Sequence, residues 1–194
     1  MSKKLATNLF GLFIAVSGAA HAGDDWMLRV RAIDVAPNAS SSPVAGVNAN
    51  DQWSPEVDLT YFFTKNIAVE AIAATTRHSV TLNSTDLGKV SVLPPTVTLQ
   101  YHFNPEGRVQ PYVGAGVNYT RFYNVQLASG LDVDRNSWGG ALQVGTDIAI
   151  GKNSYINLDV KKIYIQTDVK NNGTYLTTLK LDPVVWGVGY GFRF

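Results

Sequence analysis

The sequence predicts an all-β protein: an eight-stranded antiparallel up-and-down β-barrel that spans a membrane. Apolar and polar residues alternate with a period of two through most of the chain, as they do in strands whose two faces meet different surroundings. After the N-terminal segment there is no run of about 18 apolar residues, which a membrane helix needs. Tight turns alternate with long polar connections. Because a bilayer offers backbone groups no hydrogen-bond partners, a chain of this kind crosses it as a closed barrel.

Residues 1–22 have the features of a cleaved secretory signal peptide. Two lysines precede an apolar run over residues 9–16, and the triplet Ala20-His21-Ala22 follows. This order matches the positive region, the apolar region and the cleavage site of such signals. We therefore predict a barrel domain over residues 23–194, exported through the periplasm to the bacterial outer membrane.

The composition excludes several classes of function. Without the two signal lysines, 14 basic and 15 acidic residues remain, and this near-neutral balance gives no reason to expect nucleic acid as a partner. There is no cysteine, which excludes disulfides and thiolate chemistry. No motif indicates a cofactor, and none is predicted.

Eight alternating segments carry the predicted strands. They cover residues 26–36, 53–63, 67–78, 95–103, 109–123, 137–150, 155–167 and 183–194. Three tight turns lie at one end of the strands, and four long polar connections near 37–52, 78–94, 124–136 and 168–182 lie at the other. This asymmetry is typical of outer-membrane barrels and puts the short turns on the periplasmic side.

The charges decide which face of each strand points inward. One face carries the following eight charged residues: Arg29, Arg31, Glu56, Asp58, Glu70, Asp147, Asp159 and Lys161. A lipocalin-like soluble barrel would bury its apolar face instead, but a dry core with eight charges is costly. We therefore expect the apolar face to meet lipid. Aromatic residues near the periplasmic interface are predicted at Trp26, Tyr61, Phe63, Tyr101, Phe103, Tyr190 and Phe194.

Four blocks of sequence resemble a known family. "YFFTKNIAVEAIAATTRH", "LPPTVTLQYHF", "PYVGAGVNYT" and "SWGGALQVGTDIAI" occur in this order and are similar to segments of the outer-membrane protein W family. The resemblance runs along the mature chain and implies an eight-stranded barrel in the Gram-negative outer membrane. It also implies a role in the passage of small, mostly hydrophobic molecules that leave sideways through the barrel wall.

The lower lumen is predicted to hold a charged plug. Its residues are Arg29, Arg31, Asp58, Glu70, Asp147, Asp159, Lys161 and Arg193. The interior of an eight-stranded barrel is just wide enough for side chains to fill, so opposite charges there are expected to pair. A structural plug is the favoured interpretation, while a proton relay or an ion filter stays open.

The upper lumen is predicted to be apolar. Its residues are Ile33, Val35, Ile72, Ala74, Phe122, Ile163 and Ile165. Because the fifth strand is longer than the roughly 10 residues needed to cross a bilayer, this part of the barrel should project above the lipid. Two interpretations remain: a small core that stiffens the projection, or a site for hydrophobic molecules arriving from outside.

Prolines mark a candidate opening in the wall. Pro94 and Pro95 precede the fourth strand and resemble the "LPPT" position that the family associates with lateral opening. Proline has no N–H and leaves a gap in a strand ladder, although it is also common at ordinary strand boundaries. Pro183 is a weaker candidate for the same effect.

The last strand is predicted to carry an assembly signal. Tyr190, Phe192 and the terminal Phe194 alternate with glycines and Arg193. This pattern resembles the signal that the outer-membrane barrel assembly machinery reads. The expected partners are therefore that machinery, outer-membrane lipids and small hydrophobic solutes, and the barrel is expected to be a monomer.

The predicted function is passive uptake of small hydrophobic molecules, through an apolar upper lumen with lateral exit above a charged plug. The alternatives are a structural or adhesive barrel with a closed lumen, and a narrow pore for small polar solutes. An enzyme is not expected, because His78 and His102 lie at opposite ends of different strands. Neither a G-x-S-x-G nor an H-E-x-x-H motif is present to orient a nucleophile or hold a metal.

Overall fold

A computed structural model of the chain describes residues 25–194 and shows a closed antiparallel barrel. This confirms the predicted fold class. The signal peptide predicted over residues 1–22 lies outside the described residues and stays a prediction. Within residues 25–194, no helix is long and apolar enough to cross a membrane.

Eight strands form the closed wall. They are β1 (Trp26–Ala36), β4 (Gln52–Phe62), β5 (Ile67–Ala74), β8 (Thr96–His102), β9 (Val109–Leu127), β11 (Asn136–Ala149), β12 (Ser154–Ile163) and β15 (Val184–Arg193). Each pairs antiparallel with the next, and β15 pairs with β1 from Met27↔Arg193 to Ala36↔Val184. The wall therefore has no free edge, which a barrel in lipid requires.

Seven further strands lie in the connections that the sequence presented as long polar loops. They are β2 (Ser40–Ser42), β3 (Val47–Ala49), β6 (Thr76–Leu82), β7 (Thr85–Leu93), β10 (Leu131–Val133), β13 (Gln166–Asn171) and β14 (Thr174–Lys180). One upper sheet runs β9–β7–β6–β3, and the other runs β10–β13–β14–β2. The barrel therefore continues outward as a walled extension, and β9 alone is 19 residues long.

Two tight turns explain why these hairpins form. Asn172 and Gly173 join β13 to β14 with φ of 48° and 80°, and Asn83 and Ser84 join β6 to β7 with φ of 47° and 70°. Two-residue turns with positive φ match the twist of paired strands, and Asn-Gly is their commonest sequence. The Asn-Gly pair was therefore a readable signal for the β13–β14 hairpin.

The outer surface is apolar between two aromatic belts. At the periplasmic end, the rings of Trp26 and Tyr61 lie 4.7 Å apart, and those of Tyr61 and Phe63 lie 5.0 Å apart. At the other end, three tryptophans, Trp53, Trp138 and Trp186, are 72%, 73% and 57% exposed. Such belts mark the two interfaces of a bilayer, so the extension stands outside the outer one.

Close packing of backbones makes one glycine indispensable at the upper end of β11. A Cβ atom on Gly139 would lie 1.8 Å from the carbonyl oxygen of Tyr164, whereas one on the neighbouring Gly140 would lie 3.8 Å from the Tyr164 ring. Only the first distance forces the two strands apart, because backbone cannot move aside as a side chain can.

We predict that Gly139→Ala destabilises the barrel and that Gly140→Ala does not. The first change should cost about 1–3 kcal/mol, as overpacking does, and the second should stay within about 0.5 kcal/mol. Urea unfolding of the two variants in lipid vesicles, followed by tryptophan fluorescence, measures both. Equal midpoints for the two variants would contradict the steric argument.

Candidate functional site

The lumen is divided into a charged lower layer and an apolar upper layer. The lower layer lies between the two aromatic belts, where inward residues of β1, β4, β5, β11 and β12 meet. Eight charged side chains there are at most 3% exposed: Arg29, Arg31, Glu56, Asp58, Glu70, Asp147, Asp159 and Lys161. We call these eight side chains the charged network.

Arg29 anchors the lower part of the charged network. It donates two hydrogen bonds to the Asp147 carboxylate, from Nε to Oδ1 at 3.0 Å and from Nη2 to Oδ2 at 2.6 Å. Its Nη1 donates to Asp58 Oδ1 at 3.1 Å and to Thr60 Oγ1 at 2.6 Å. A two-point arginine–carboxylate contact fixes orientation as well as charge.

Arg31 and Lys161 hold the carboxylates of the upper part. Arg31 Nη1 lies 2.9 Å from Glu56 Oε1 and 2.6 Å from Asp58 Oδ2, and its Nη2 lies 2.9 Å from Glu70 Oε1. Lys161 Nζ lies 2.7 Å from Glu56 and 2.8 Å from Asp159. Each cation therefore bridges at least two carboxylates, and the charges form one connected group.

Neutral side chains complete the network. Gln143 Nε2 donates to Glu70 Oε2 at 2.9 Å and to Asp159 Oδ2 at 2.8 Å. Gln100 Nε2 donates to Glu70 Oε2 at 2.8 Å, and the Tyr112 hydroxyl donates to Asp159 Oδ2 at 2.7 Å. These groups supply the hydrogen bonds that buried charges need besides their ionic partners.

Seven of the eight residues predicted for the plug lie in this network. The eighth, Arg193, lies nearer the periplasm, where its guanidinium carbon is 4.0 Å from the centre of the Phe62 ring. Glu56 belongs to the network although the predicted set left it out; its place on the charged face of β4 was the signal. Gln100, Tyr112 and Gln143 carried no charge by which the sequence could single them out.

The upper layer is an apolar chamber inside the extension. Of the predicted residues, Ile33, Val35, Phe122, Ile163 and Ile165 belong to one buried cluster, Ala74 packs against it, and Ile72 lines a cavity beside it. The remaining buried members of the cluster are Val47, Ala49, Val90, Val92, Val133, Val169, Leu179, Leu181 and Val185. Most of these come from the outer hairpins, which the sequence had presented as polar loops.

Two adjoining cavities lie in the chamber. The outer one has a volume of about 90 Å³ and the inner one about 40 Å³. His78, Val92 and Leu181 line both cavities and mark their junction. An apolar cavity of about 150 Å³ in another protein binds benzene, so the two together approach the size that suits one aromatic ring.

His78 contributes no charge to the chamber. Its Nδ1–H donates to the Asn50 carbonyl at 2.7 Å, and its Nε2 accepts from the Thr76 hydroxyl at 2.8 Å. Burial holds the pKa of the His78 imidazole below its usual range, because desolvation disfavours the charged ring. The junction of the two cavities is therefore lined by a neutral histidine with both nitrogens satisfied.

The wall beside the inner cavity is irregular at Pro94 and Pro95. Pairing of β5 with β8 ends at Ile72↔Thr96, and pairing of β6 with β7 begins at Thr76↔Val92. Among the described residues, segments 73–75 and 93–95 form no ladder pair with each other, and the prolines have no N–H to donate. Pro94 also lines the inner cavity.

The other side of this segment is bridged. Tyr119 N donates to the Pro95 carbonyl at 3.0 Å, and Asn118 Nδ2 donates to the Pro94 carbonyl at 3.2 Å. The interruption of the ladder therefore faces β5 and β6 and not β9. Pro183 is bridged on its β12 side, because Ile163 N donates to its carbonyl at 3.1 Å.

We predict that Arg31→Met destabilises the barrel by about 3–5 kcal/mol, because it leaves buried carboxylates without their cation. Adding Glu70→Gln to that variant should restore part of the loss, since one of those carboxylates is then removed. Urea unfolding of the single and double variants measures the coupling.

Lys65→Met is the control for this measurement. It breaks the ion pair between Lys65 and Glu106, whose side chains are both 73% exposed, and should leave the midpoint unchanged because exposed pairs contribute little. An Arg31→Met barrel as stable as this control would show that the network does not hold the wall together.

Comparison with known proteins agrees with this architecture. The model of the OmpW family matches residues 21–194. Outer-membrane protein y4mB of Sinorhizobium fredii is 41% identical over 194 residues, which cover 93% of this chain and 84% of that protein. The dibenzothiophene metabolism operon protein PahQ of Pseudomonas aeruginosa is 29% identical over 215 residues, which cover 100% of both.

A solved structure shows the same fold. The crystal structure of the outer-membrane protein OprG from Pseudomonas aeruginosa is similar with a TM-score of 0.77 and 29% identity, over 88% of this chain and 95% of that one. The closed barrel, its aromatic belts and the match over the whole described chain agree, and they place the protein in the bacterial outer membrane. The chain belongs to the OmpW family.

Proposed function

We propose that this barrel takes small hydrophobic molecules from outside the cell into its apolar chamber and releases them sideways into the outer membrane. The observation that carries the proposal is the change of polarity along the lumen. The chamber of the extension is lined by aliphatic and aromatic side chains, and the charged network lies directly beneath it.

The charged network makes a straight path to the periplasm unfavourable. An apolar solute that entered it would have to separate Arg31 and Lys161 from the carboxylates that neutralise them. Breaking such a buried pair costs several kcal/mol, about 3–5 by comparison with other proteins, and a hydrocarbon offers no hydrogen bonds in return. Exit below the chamber is therefore closed to the molecules that the chamber suits.

A lateral route avoids that cost. Segments 73–75 and 93–95 flank the inner cavity, and no ladder pair joins them within the described chain. In our proposal, solute leaves between these segments at the level of the outer aromatic belt and passes from there into the acyl region of the outer leaflet. The Pro94–Pro95 pair keeps the route open because Pro95 bonds toward β9 through its carbonyl, and Pro94 has no N–H that could close the ladder toward segment 73–75.

A relative supports the chemical class of the solute. PahQ is named as a protein of a dibenzothiophene metabolism operon, and dibenzothiophene is an apolar aromatic compound. Cavities lined mainly by aliphatic side chains suit an apolar solute more than a sugar or an ion.

The C-terminal strand has a separate proposed role in assembly. Tyr190, Phe192 and Phe194 are 47%, 45% and 41% exposed on the lipid side of the wall. We propose that this row of aromatic rings is the part of the chain that the barrel assembly machinery recognises, and that the inserted barrel acts as a monomer.

We predict that Val92→Phe blocks uptake. Val92 lines both cavities, and a phenyl ring there fills their junction. Uptake of radiolabelled naphthalene by cells that express the variant should fall close to that of cells without the barrel. Val97→Phe is the matched control, because Val97 is 46% exposed toward lipid, and its uptake should equal that of the wild type.

The same assay separates the alternatives. Unchanged naphthalene uptake in the Val92→Phe variant, with the variant folded by heat-modifiability on gels, would contradict the proposal. Sugar or ion flux through the wild type in liposomes would favour a narrow polar pore. Flux of neither kind of solute would favour a structural or adhesive barrel.

We predict that replacing both Pro94 and Pro95 by threonine slows naphthalene uptake and leaves the barrel folded. Threonine at position 94 supplies an N–H that can pair with segment 73–75, so the wall closes beside the inner cavity. Pro183→Thr is the control, because Pro183 lines the same cavity and its carbonyl already accepts a hydrogen bond from Ile163 N. Equal uptake by the double variant and the control would rule out an exit at Pro94–Pro95.

A further inference from the structure

One outer face of the extension carries three cations. Arg77 on β6, Lys89 on β7 and Arg121 on β9 are all exposed, and each alternates with residues that point into the chamber, such as His78, Val90 and Phe122. The three side chains therefore project from the same outward surface. We call Arg77, Lys89 and Arg121 the cationic face.

The cationic face is not neutralised by the protein. Among residues 25–194, none of its three side chains forms an ion pair with a carboxylate, and Arg77 Nη2 donates to the amide oxygen of Gln126 at 2.5 Å. On the other upper sheet, by contrast, Lys170 pairs with Asp134, and Arg135 beside β10 pairs with Asp132. Like charges collected on one surface without partners repel one another and attract an anion.

The strand register sets the spacing of the three cations. Arg77 lies opposite Ser91, Ser91 opposite Tyr123, and Leu93 opposite Arg121. With strands about 4.8 Å apart and about 6.8 Å between alternate residues of a strand, the backbones of Arg77 and Arg121 are roughly 12 Å apart. Long side chains on such a lattice can reach one phosphorylated headgroup together.

Hydrogen bonds stiffen this surface. The Thr75 and Tyr123 hydroxyls lie 2.6 Å apart and link the residue before β6 to β9. With the bond from Arg77 to Gln126, they tie the three strands together on their outer side. The cations therefore stand on a stiffened sheet, so little backbone freedom is lost when a ligand binds.

The height of the cationic face points to lipid as the source of the anion. Trp138 and Tyr119, whose rings are 4.8 Å apart, belong to the outer aromatic belt. Arg121, opposite Asn136, is the next residue of β9 after Tyr119 whose side chain faces away from the lumen. Arg77 and Lys89 lie further from the membrane. Because aromatic belts sit at the level of the headgroups, Arg121 stands at the phosphates of the outer leaflet, and Arg77 and Lys89 stand above it on the side of the sugar headgroup.

From these observations we infer that the cationic face binds the phosphate groups of a phosphorylated glycolipid of the outer leaflet. Arginine holds phosphate through two parallel hydrogen bonds, and lysine adds a point charge. Three cations without protein partners fit a lipid that carries more than one phosphate. This inference is independent of whether the chamber conducts a solute.

Lipid binding to the purified barrel in detergent tests the inference. The probe is diphosphoryl lipid A, with monophosphoryl lipid A and inorganic phosphate as comparisons, and bound lipid is counted by native mass spectrometry. The test variant combines Arg77→Gln, Lys89→Gln and Arg121→Gln. The control combines Lys65→Gln, Arg108→Gln and Lys152→Gln, which removes the same number of exposed charges from the periplasmic turns.

The expected result is at least about a tenfold loss of diphosphoryl lipid A affinity in the test variant, from the electrostatic contribution of three cations near the lipid surface. The control should bind as the wild type does, and monophosphoryl lipid A should bind the wild type more weakly. Equal losses in the two variants would overturn the inference, as would equal wild-type affinity for the two lipids.

Competition by free phosphate and a salt titration are two further measurements that test the lipid site. Competition by inorganic phosphate at the concentration of the lipid would assign the face to free phosphate and overturn a lipid site. If the triple variant does not fold, Arg121→Gln alone and a salt titration of the wild type replace it. Binding that is insensitive to both would exclude a phosphate contact.

Discussion

Backbone pairing in lipid is the constraint on which the rest of this structure depends. Inside the hydrocarbon layer every N–H and C=O must find a partner in the protein, and eight strands meet this demand by closing β15 onto β1. Closure at this size leaves an interior that side chains fill. Charged residues placed on the inner face are then forced together, so Arg29, Arg31 and Lys161 bind nearly every carboxylate around them.

The requirement for full backbone pairing relaxes only where the wall leaves the hydrocarbon layer. The break in the ladder and the apolar chamber both lie there. The break between segments 73–75 and 93–95 occurs level with Tyr119, in the outer aromatic belt. Beyond it the lining becomes apolar, and the wall divides into two upper sheets. Height in the membrane therefore decides the character of each stretch of the barrel. Within the bilayer the wall is fully paired and the lumen is charged. Above the bilayer the wall is interrupted and the lumen is apolar.

The sequence predicted the wall well because alternation and charge together assign faces. Arg29 and Arg31 settle the inner face of β1, and the remaining strands follow from the same alternation. Two features were not predicted. Arg29 meets Asp147 across 118 residues of chain, a contact that depends on how closure staggers the strands. The outer hairpins were missed because their outward faces are polar, which hid the inward Val90, Val169 and Leu179 within apparent loops.

The proposed exit at Pro94–Pro95 and the cationic face are neighbours in the wall. They depend on different chemistry, so experiments can separate them. Leu93, beside the proline pair, lies opposite Arg121 of the cationic face. The exit depends on missing backbone N–H groups and on an apolar lining, so salt should not affect it. The cationic face depends on charge, which ionic strength screens over about 8–10 Å under ordinary conditions. A lipid phosphate held at Arg121 would stand at the edge of the exit, and its acyl chains would form the apolar phase that a released solute enters.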